Sequence, residues 1–272
     1  MRRPSHNTDG QRGRRRRSGL TLVELMLAST VLALIAGTLS ILAVSAHVGS
    51  KRQRGVTLLM QHGRVAKDRI ERDVLAAYAN EQFPGFVVIA DTVDGYRFPD
   101  TLAIWRPAGK PADPTGLPLV GELVLYTTDK DNRSELVMVT WASNTSSVPA
   151  TSDEGSWRRL RDSMLKSKTA RRTTITPYLR AESIDQKESH DKKPRAALLF
   201  TARLRPDESE FAAYRRGDLT WPDLHWPQGI RGGSVGLRQN WCSFELQLIS
   251  AEDEAEILPF FGSAAIYYDV SK

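Results

Sequence analysis

Cysteine is almost absent. Of 272 residues only Cys242 carries a thiol, so no intrachain disulfide framework staples the chain, and cysteine usage says nothing about its redox compartment. A chain of this length buries a sizeable core without such staples, and the lone thiol reads as a small buried apolar group. Proline is missing between Pro4 and Pro84, which removes the strongest helix breaker from that stretch. Charge is missing from Leu25 to Ser50 unless His47 is protonated. That run exceeds the roughly 20 residues a helix needs to span a bilayer. Core helices of soluble proteins rarely stay uncharged for so long, so the run reads as a membrane segment.

Patterns that carry chemistry are missing too. The histidines are His6, His47, His62, His190 and His225, and no two of them stand at ligand spacing with a carboxylate or thiol. No phosphate-cradling glycine loop, Gly-x-Ser-x-Gly elbow or cysteine-histidine motif occurs. Catalysis is therefore not supported, and neither a metal nor a cofactor is expected. Asp129, Asp131 and Asn132 come nearest to a calcium loop, but Ser134 and Thr140 occupy the positions where an EF-hand needs glycine and glutamate. A solvated hairpin turn is the simpler reading.

The formal charge of +6 would ordinarily point to nucleic acid or an anionic surface. Its distribution overrides the total. Residues 1 to 19 hold seven arginines against one acid, Asp9, so this leader alone accounts for the whole net charge. The remainder of the chain is balanced, and nucleic acid is the less favoured partner.

Between leader and apolar run stands Ser18-Gly19-Leu20-Thr21-Leu22-Val23-Glu24-Leu25-Met26-Leu27. Glu24 is the anomaly, because a bare carboxylate at the centre of a membrane helix costs about 2.5 to 3.5 kcal/mol, and less toward its ends. Three explanations fit a membrane-directed N-terminus. A secretory signal peptide would be cut after Val44-Ser45-Ala46, before His47. An uncleaved signal anchor would keep every residue. In either of these, Thr21 and Glu24 form a capping box at the helix start.

The third is a resemblance: the segment is similar to the class III leader of type IV pilins and type II secretion pseudopilins. The resemblance implies cleavage after Gly19 by a prepilin peptidase, N-methylation of Leu20, and Glu24 as the fifth mature residue. It also implies that Glu24 pairs with the terminal amine of a neighbouring pilin or pseudopilin subunit during filament assembly at an inner-membrane platform. Leu20 stands where phenylalanine or methionine is commoner. Charge bias across the segment is nearly even, since Lys51, Arg52, Arg54, Arg64, Lys67 and Arg69 lie on its far side. Orientation thus rests on the leader motif, which puts the C-terminal part outside the cytoplasm as a single-pass protein of the cytoplasmic membrane.

Beyond Ser50, Val56, Leu59, Met60, Gly63, Ala66, Ile70, Val74, Ala77 and Tyr78 recur at steps of three and four. This spacing predicts an amphipathic continuation of one helix to about Asn80, with Gly37, Gly49, Gly55 and Gly63 softening it. Arg69 to Ala77 resembles the post-anchor helix of J-type minor pseudopilins.

From Phe83 onward, short apolar runs alternate with turn residues. Strands are predicted at Phe86 to Ala90, Thr101 to Trp105, Leu123 to Thr128, Glu135 to Trp141, Ala196 to Leu204, Cys242 to Ile249 and Ala264 to Val270. Short helices are predicted at Trp157 to Lys168 and Glu208 to Arg216, and surface loops at Ser143 to Ser156 and Ala181 to Pro194.

The fold class expected is α+β, a long N-terminal helix packed on an antiparallel β-rich head. Its segments are a leader at 1–19, a membrane and amphipathic helix at 20–80, and an extracytoplasmic head at 81–272. A minor pilin or pseudopilin, a structural subunit of a type II secretion pseudopilus or type IV pilus, is the leading functional expectation.

The alternative is a membrane-anchored binding module, an adhesin or DNA-binding minor pilin. It would use the basic cluster Arg158, Arg159, Arg161, Lys166, Lys168, Arg171 and Arg172 on a possible helix, although a charge run is usually a solvated face. Trp221-Pro222 and Trp226-Pro227 read as covering the core edge or, less favoured, as a sticky loop for a partner.

Overall fold

Thr21 opens the first helix, and nothing breaks it until a strand carbonyl takes over its next amide. The computed structural model describes residues 21–93, 95–184, 193–225, 235–250 and 256–271. Helix α1 runs Leu22–Leu75. The chain divides inside it into two units, residues 1–51 and 52–272.

In the first unit, α1 buries none of its apolar side chains, and this is the one described helix long and apolar enough to cross a membrane. Its polar side chains are satisfied locally. The hydroxyls of Ser29, Thr30, Thr38 and Ser40 donate to the carbonyls of Met26, Leu27, Ile35 and Ala36 at 2.8–2.9 Å. Hydroxyls bonded within the helix in this way suit a medium with no water to offer.

In the second unit, the rest of α1 lies against two sheets. A five-stranded antiparallel sheet comprises β1 (Phe86–Val93), β2 (Tyr96–Trp105), β3 (Leu123–Thr128), β4 (Leu136–Thr140) and β5 (Arg171–Thr176), in that spatial order. After α2 (Glu154–Lys166) and the short hairpin β6 (Ala181–Ile184) with β7 (Lys193–Ala196), a second sheet forms. It holds β8 (Leu198–Arg205), β9 (Val235–Ile249) and β10 (Ile257–Ser271), with β9 in the middle. Helix α3 (Glu208–Arg216) lies between β8 and β9 in sequence.

Alternation along the strands decides what each face meets. Leu102, Ile104, Val124, Tyr126, Leu136 and Met138 share one core with Leu59, Ala66, Ile70 and Val74 of α1 and with Phe200, Cys242, Phe244, Leu246 and Ile266 of the second sheet. Their neighbours Ala103, Trp105, Leu123, Leu125, Val137 and Val139 point the other way and pack with Trp157 and Met164 of α2. Both faces of the five-stranded sheet are therefore covered, which is why β3 opens with four apolar residues and is buried at every position. Each fully buried Leu, Ile or Val of this kind contributes on the order of 1.5–3 kcal/mol. A smaller core joins Phe211 of α3 to Trp221, Leu224, Tyr268 and Val270.

The expected α+β architecture is present, with specific differences. Helix α1 stops at Leu75, not near Asn80, because Ala77 N–H bonds Val74 O in a tightened turn and Tyr78 N–H donates to Trp105 O at 2.9 Å. Met60, expected on the buried stripe, is 39% exposed, whereas Asp73 is buried on it. Gly63 is a point of close approach: an added Cβ would run into the Phe260 ring. The predicted loop at Ala181 to Pro194 contains β6 and the start of β7, which pair Ala181 with Ala196 and Glu182 with Arg195, while 185–192 lie outside the described residues. Arg171 and Arg172 belong to strand β5, not to a helix.

Candidate functional site

The N-terminus of α1 is built from a reciprocal pair. Thr21 N–H donates to Glu24 Oε2 at 2.9 Å, Thr21 Oγ1 donates to the same oxygen at 3.0 Å, and Glu24 N–H donates to Thr21 Oγ1 at 3.2 Å. This is a capping box, with the carboxylate set among helix-start amides whose partial positive charge favours it. Both bonds to the carboxylate fall on Oε2, and Oε1 takes no part in the cap. Past this pair the surface is apolar, with Leu22, Val23, Leu25, Met26 and Leu27 all more than 60% exposed. Glu24 is the one acid on this surface, held by two bonds to a single oxygen. Gly19 and Leu20, the expected cleavage and methylation positions, lie outside the described residues.

The basic cluster does not present one cationic face. Asp153 caps α2 by accepting from Ser156 N–H at 2.9 Å. Two turns on, Arg161 points inward, with Nη1 2.8 Å from Asp91 Oδ1 and Nη2 3.0 Å from Asp162. Arg172 pairs with Asp129 and donates to the carbonyl of Leu165 at 2.8 Å. Arg161 is thus engaged inside the fold, while Arg172 is paired at the surface.

Asp129 is a turn-closing residue. Its Oδ1 accepts from the amides of Asp131 at 2.8 Å and Asn132 at 3.3 Å, while Oδ2 takes Arg172. Trp221 is 6% exposed and sits edge-on to Tyr214 at 5.3 Å, so it covers the core edge; Trp226 and Pro227 lie outside the described residues. The Cys242 thiol is fully buried on β9, and loss of hydration pushes its pKa up to about 12.

Two ionic constellations escaped the sequence reading. On α1, Asp73 is 2% exposed, its Oδ1 2.5 Å from Arg106 Nη1 and its Oδ2 2.6 Å from the Tyr126 hydroxyl. Burial, and then the hydrogen bond to Asp73, push the Tyr126 phenol well above its usual range. The signal was available: Asp73 stands three residues after Ile70 and seven after Ala66, on the apolar stripe.

The second constellation joins β1, β2, α2 and β7. Arg161 and Arg195 flank Asp91 at 2.8 and 3.1 Å, and each lies 4.0 Å from an oxygen of Asp100. Burial works against the Asp91 charge, but the two guanidiniums prevail and hold its carboxyl below the usual range. At Asp100 burial wins, reinforced by the neighbouring Asp91 charge, and the carboxyl is raised. Nothing local in the sequence marks this group, because its four members come from separate elements.

Residues 14–40 match the family model described as the prokaryotic N-terminal methylation motif. No curated protein and no solved structure matches the chain. The matched motif supports the class of type IV pilin-like and pseudopilin subunits, which are structural proteins. It implies processing by a prepilin peptidase and assembly with other pilin subunits, and it agrees with membrane anchoring through α1.

Proposed function

We propose that this chain is a minor pilin or pseudopilin, made as a membrane-anchored precursor and polymerised after its leader is removed. Leader 1–19 is cut after Gly19, Leu20 becomes the methylated N-terminus, the segment 20–80, helical as far as Leu75, supplies anchor and packing surface, and 81–272 form an extracytoplasmic head. The precursor sits in the cytoplasmic membrane with its arginine-rich end inside, and an inner-membrane platform feeds it into a type II secretion pseudopilus or a type IV pilus.

The observation that carries this reading is the state of Glu24. Among the described residues it is a cap satisfied through Oε2, on the part of α1 whose apolar side chains are exposed. A neighbouring subunit's protonated amine at Leu20 would find a carboxylate with one oxygen uncommitted, in a medium where opposite charges attract strongly. A plain signal anchor has the same cap but no use for a second cation.

N-terminal sequencing of the membrane-extracted protein tests the reading. A chain beginning at Leu20, heavier by one methyl group at that residue, is expected. A chain beginning at His47 would make the protein a secreted one, and an intact Met1 would make it a plain anchor. The alternative of a binding module using the basic cluster is weakened by the inward pairing of Arg161 with Asp91.

A further inference from the structure

Among the described residues strands β1 and β8 each end their sheet, and both border one cleft of about 1310 Å³. This exceeds the roughly 300–1,000 Å³ of an ordinary small-molecule site. Consecutive residues of each strand line it, 86–89 and 199–205. Because successive side chains point to opposite faces, a consecutive lining means that backbone edges are presented to the cleft.

The ladder shows which groups point there. In an antiparallel pair, alternate residues turn both N–H and C=O toward the neighbour. Gln247 N–H donates to Ala197 O at 3.0 Å, so residues 197, 199, 201 and 203 face β9. The amides and carbonyls of Phe200, Ala202 and Leu204 then face the cleft. On the opposite wall two carbonyls are covered, since Asn240 Nδ2 donates to Pro84 O at 2.7 Å and to Phe86 O at 3.3 Å. The receptive edge is β8, and β1 is the wall beside it.

An unpaired strand edge is a template for another strand, and the charges say of which kind. Carboxylates around the cleft are engaged: Glu154 with Arg97 at 2.6 Å, Glu208 with Arg238 at 2.8 Å and Glu81 with Arg215 at 2.7 Å. Arg203 lies against the Trp241 ring, 6.0 Å from its centroid, and is paired with no carboxylate among the described residues. Leu199, on the same face four residues earlier, is 44% exposed.

We propose that the β8 edge docks an extended segment of another polypeptide, paired through the main chain at Phe200 to Leu204, with an apolar side chain beside Leu199 and a carboxylate on Arg203. The proposal goes beyond the filament reading and stands on the head alone, whatever happens at Gly19.

The test uses the full chain in detergent micelles and a fluorescein-labelled peptide, acetyl-Val-Thr-Val-Thr-Glu-Thr-Val-amide, followed by anisotropy. Saturable binding is expected. It should weaken at least tenfold when alternate peptide amides on the pairing side are N-methylated, and likewise for Ala202→Pro, which removes one cleft-facing donor. Arg203→Glu should reverse the charge preference, favouring a peptide with lysine in place of the glutamate. If Ala202→Pro fails to fold, the charge reversal and the methylated peptide still decide. Absence of saturable binding, indifference to N-methylation at either set of alternate amides, or an unchanged preference in Arg203→Glu overturns the proposal. So does self-association through this edge that the peptide does not compete, which would assign it to a second copy of the chain.

Discussion

Arg106 places Nη1 2.5 Å from Oδ1 of Asp73, joining the segment after β2 to a carboxylate that is 2% exposed on α1. The same carboxylate takes the Tyr126 hydroxyl from β3, so one acid ties the helix to the sheet at two points. A buried acid on an apolar stripe is tolerated only when paired in this way.

Asp73→Ala should therefore lower unfolding stability by about 2–3 kcal/mol. Breaking a fully buried pair costs about 3–5 kcal/mol, and the 40% exposure of the Arg106 side chain lets it recover water. Asp73→Asn, which still accepts from Tyr126, should lose less. Urea denaturation of both, with Arg106→Ala and the double variant, gives the coupling; strict additivity of the two truncations would mean that the pair contributes nothing.

Gly63→Ala should destabilise although alanine is the better helix former by about 1 kcal/mol. The added methyl would strike the Phe260 ring, and overpacking of this kind costs about 1–3 kcal/mol. Phe260→Leu should remove the clash, so the double variant should melt above Gly63→Ala. A higher melting temperature for Gly63→Ala alone would show that the ring yields freely.

Asp91 and Asp100 should respond to pH with opposite sign. The carboxyl of Asp91 is depressed in the fold, so its stabilisation is present above the ordinary value of about 3.9 and disappears as pH falls through the lower folded value. Denaturant midpoints of Asp91→Asn should lie furthest below the unsubstituted protein near neutrality and converge with it in acid. Asp100 is raised; its ionisation penalises the fold as pH climbs above about 3.9 toward the folded value. Asp100→Asn should gain on the unsubstituted protein over that climb, and a gain in acid instead would contradict the assignment.

Glu24→Gln separates cap from charge. An amide oxygen still accepts from Thr21, so the helix start should keep most of the roughly 0.5–2 kcal/mol that a cap supplies, and membrane levels should match the unsubstituted chain. The charge is gone, and incorporation into filaments should fall sharply, as with Glu24→Ala. Quantitative immunoblotting of sheared filaments against membranes reads the difference. Normal incorporation of Glu24→Gln would remove the intersubunit charge pair from the mechanism.

Local chemistry determined much of this protein by sequence alone. The uncharged run after Glu24 and the missing prolines led to the start of α1. Asp207 with Glu210 at one end and Gly217 at φ 82° at the other bracketed α3 at the predicted residues. The apolar run Leu123 to Tyr126 marked a strand, and the leader motif stands in the N-terminal residues alone. Each of these depends on neighbours within a few residues.

Tertiary structure decided what depends on distant partners. It ended α1 at Leu75, where a β2 carbonyl was better placed to take the next amide. It turned Asp73 inward, because Arg106 and Tyr126 arrive from residues more than thirty positions away. It drew Arg161 and Arg172 out of an apparent basic face into pairs with Asp91 and Asp129, and it left the edge of β8 without a neighbouring strand among the described residues. Periodicity records which side of an element is apolar; only packing brings together the groups that satisfy its buried charges and sets which strand edge stays open.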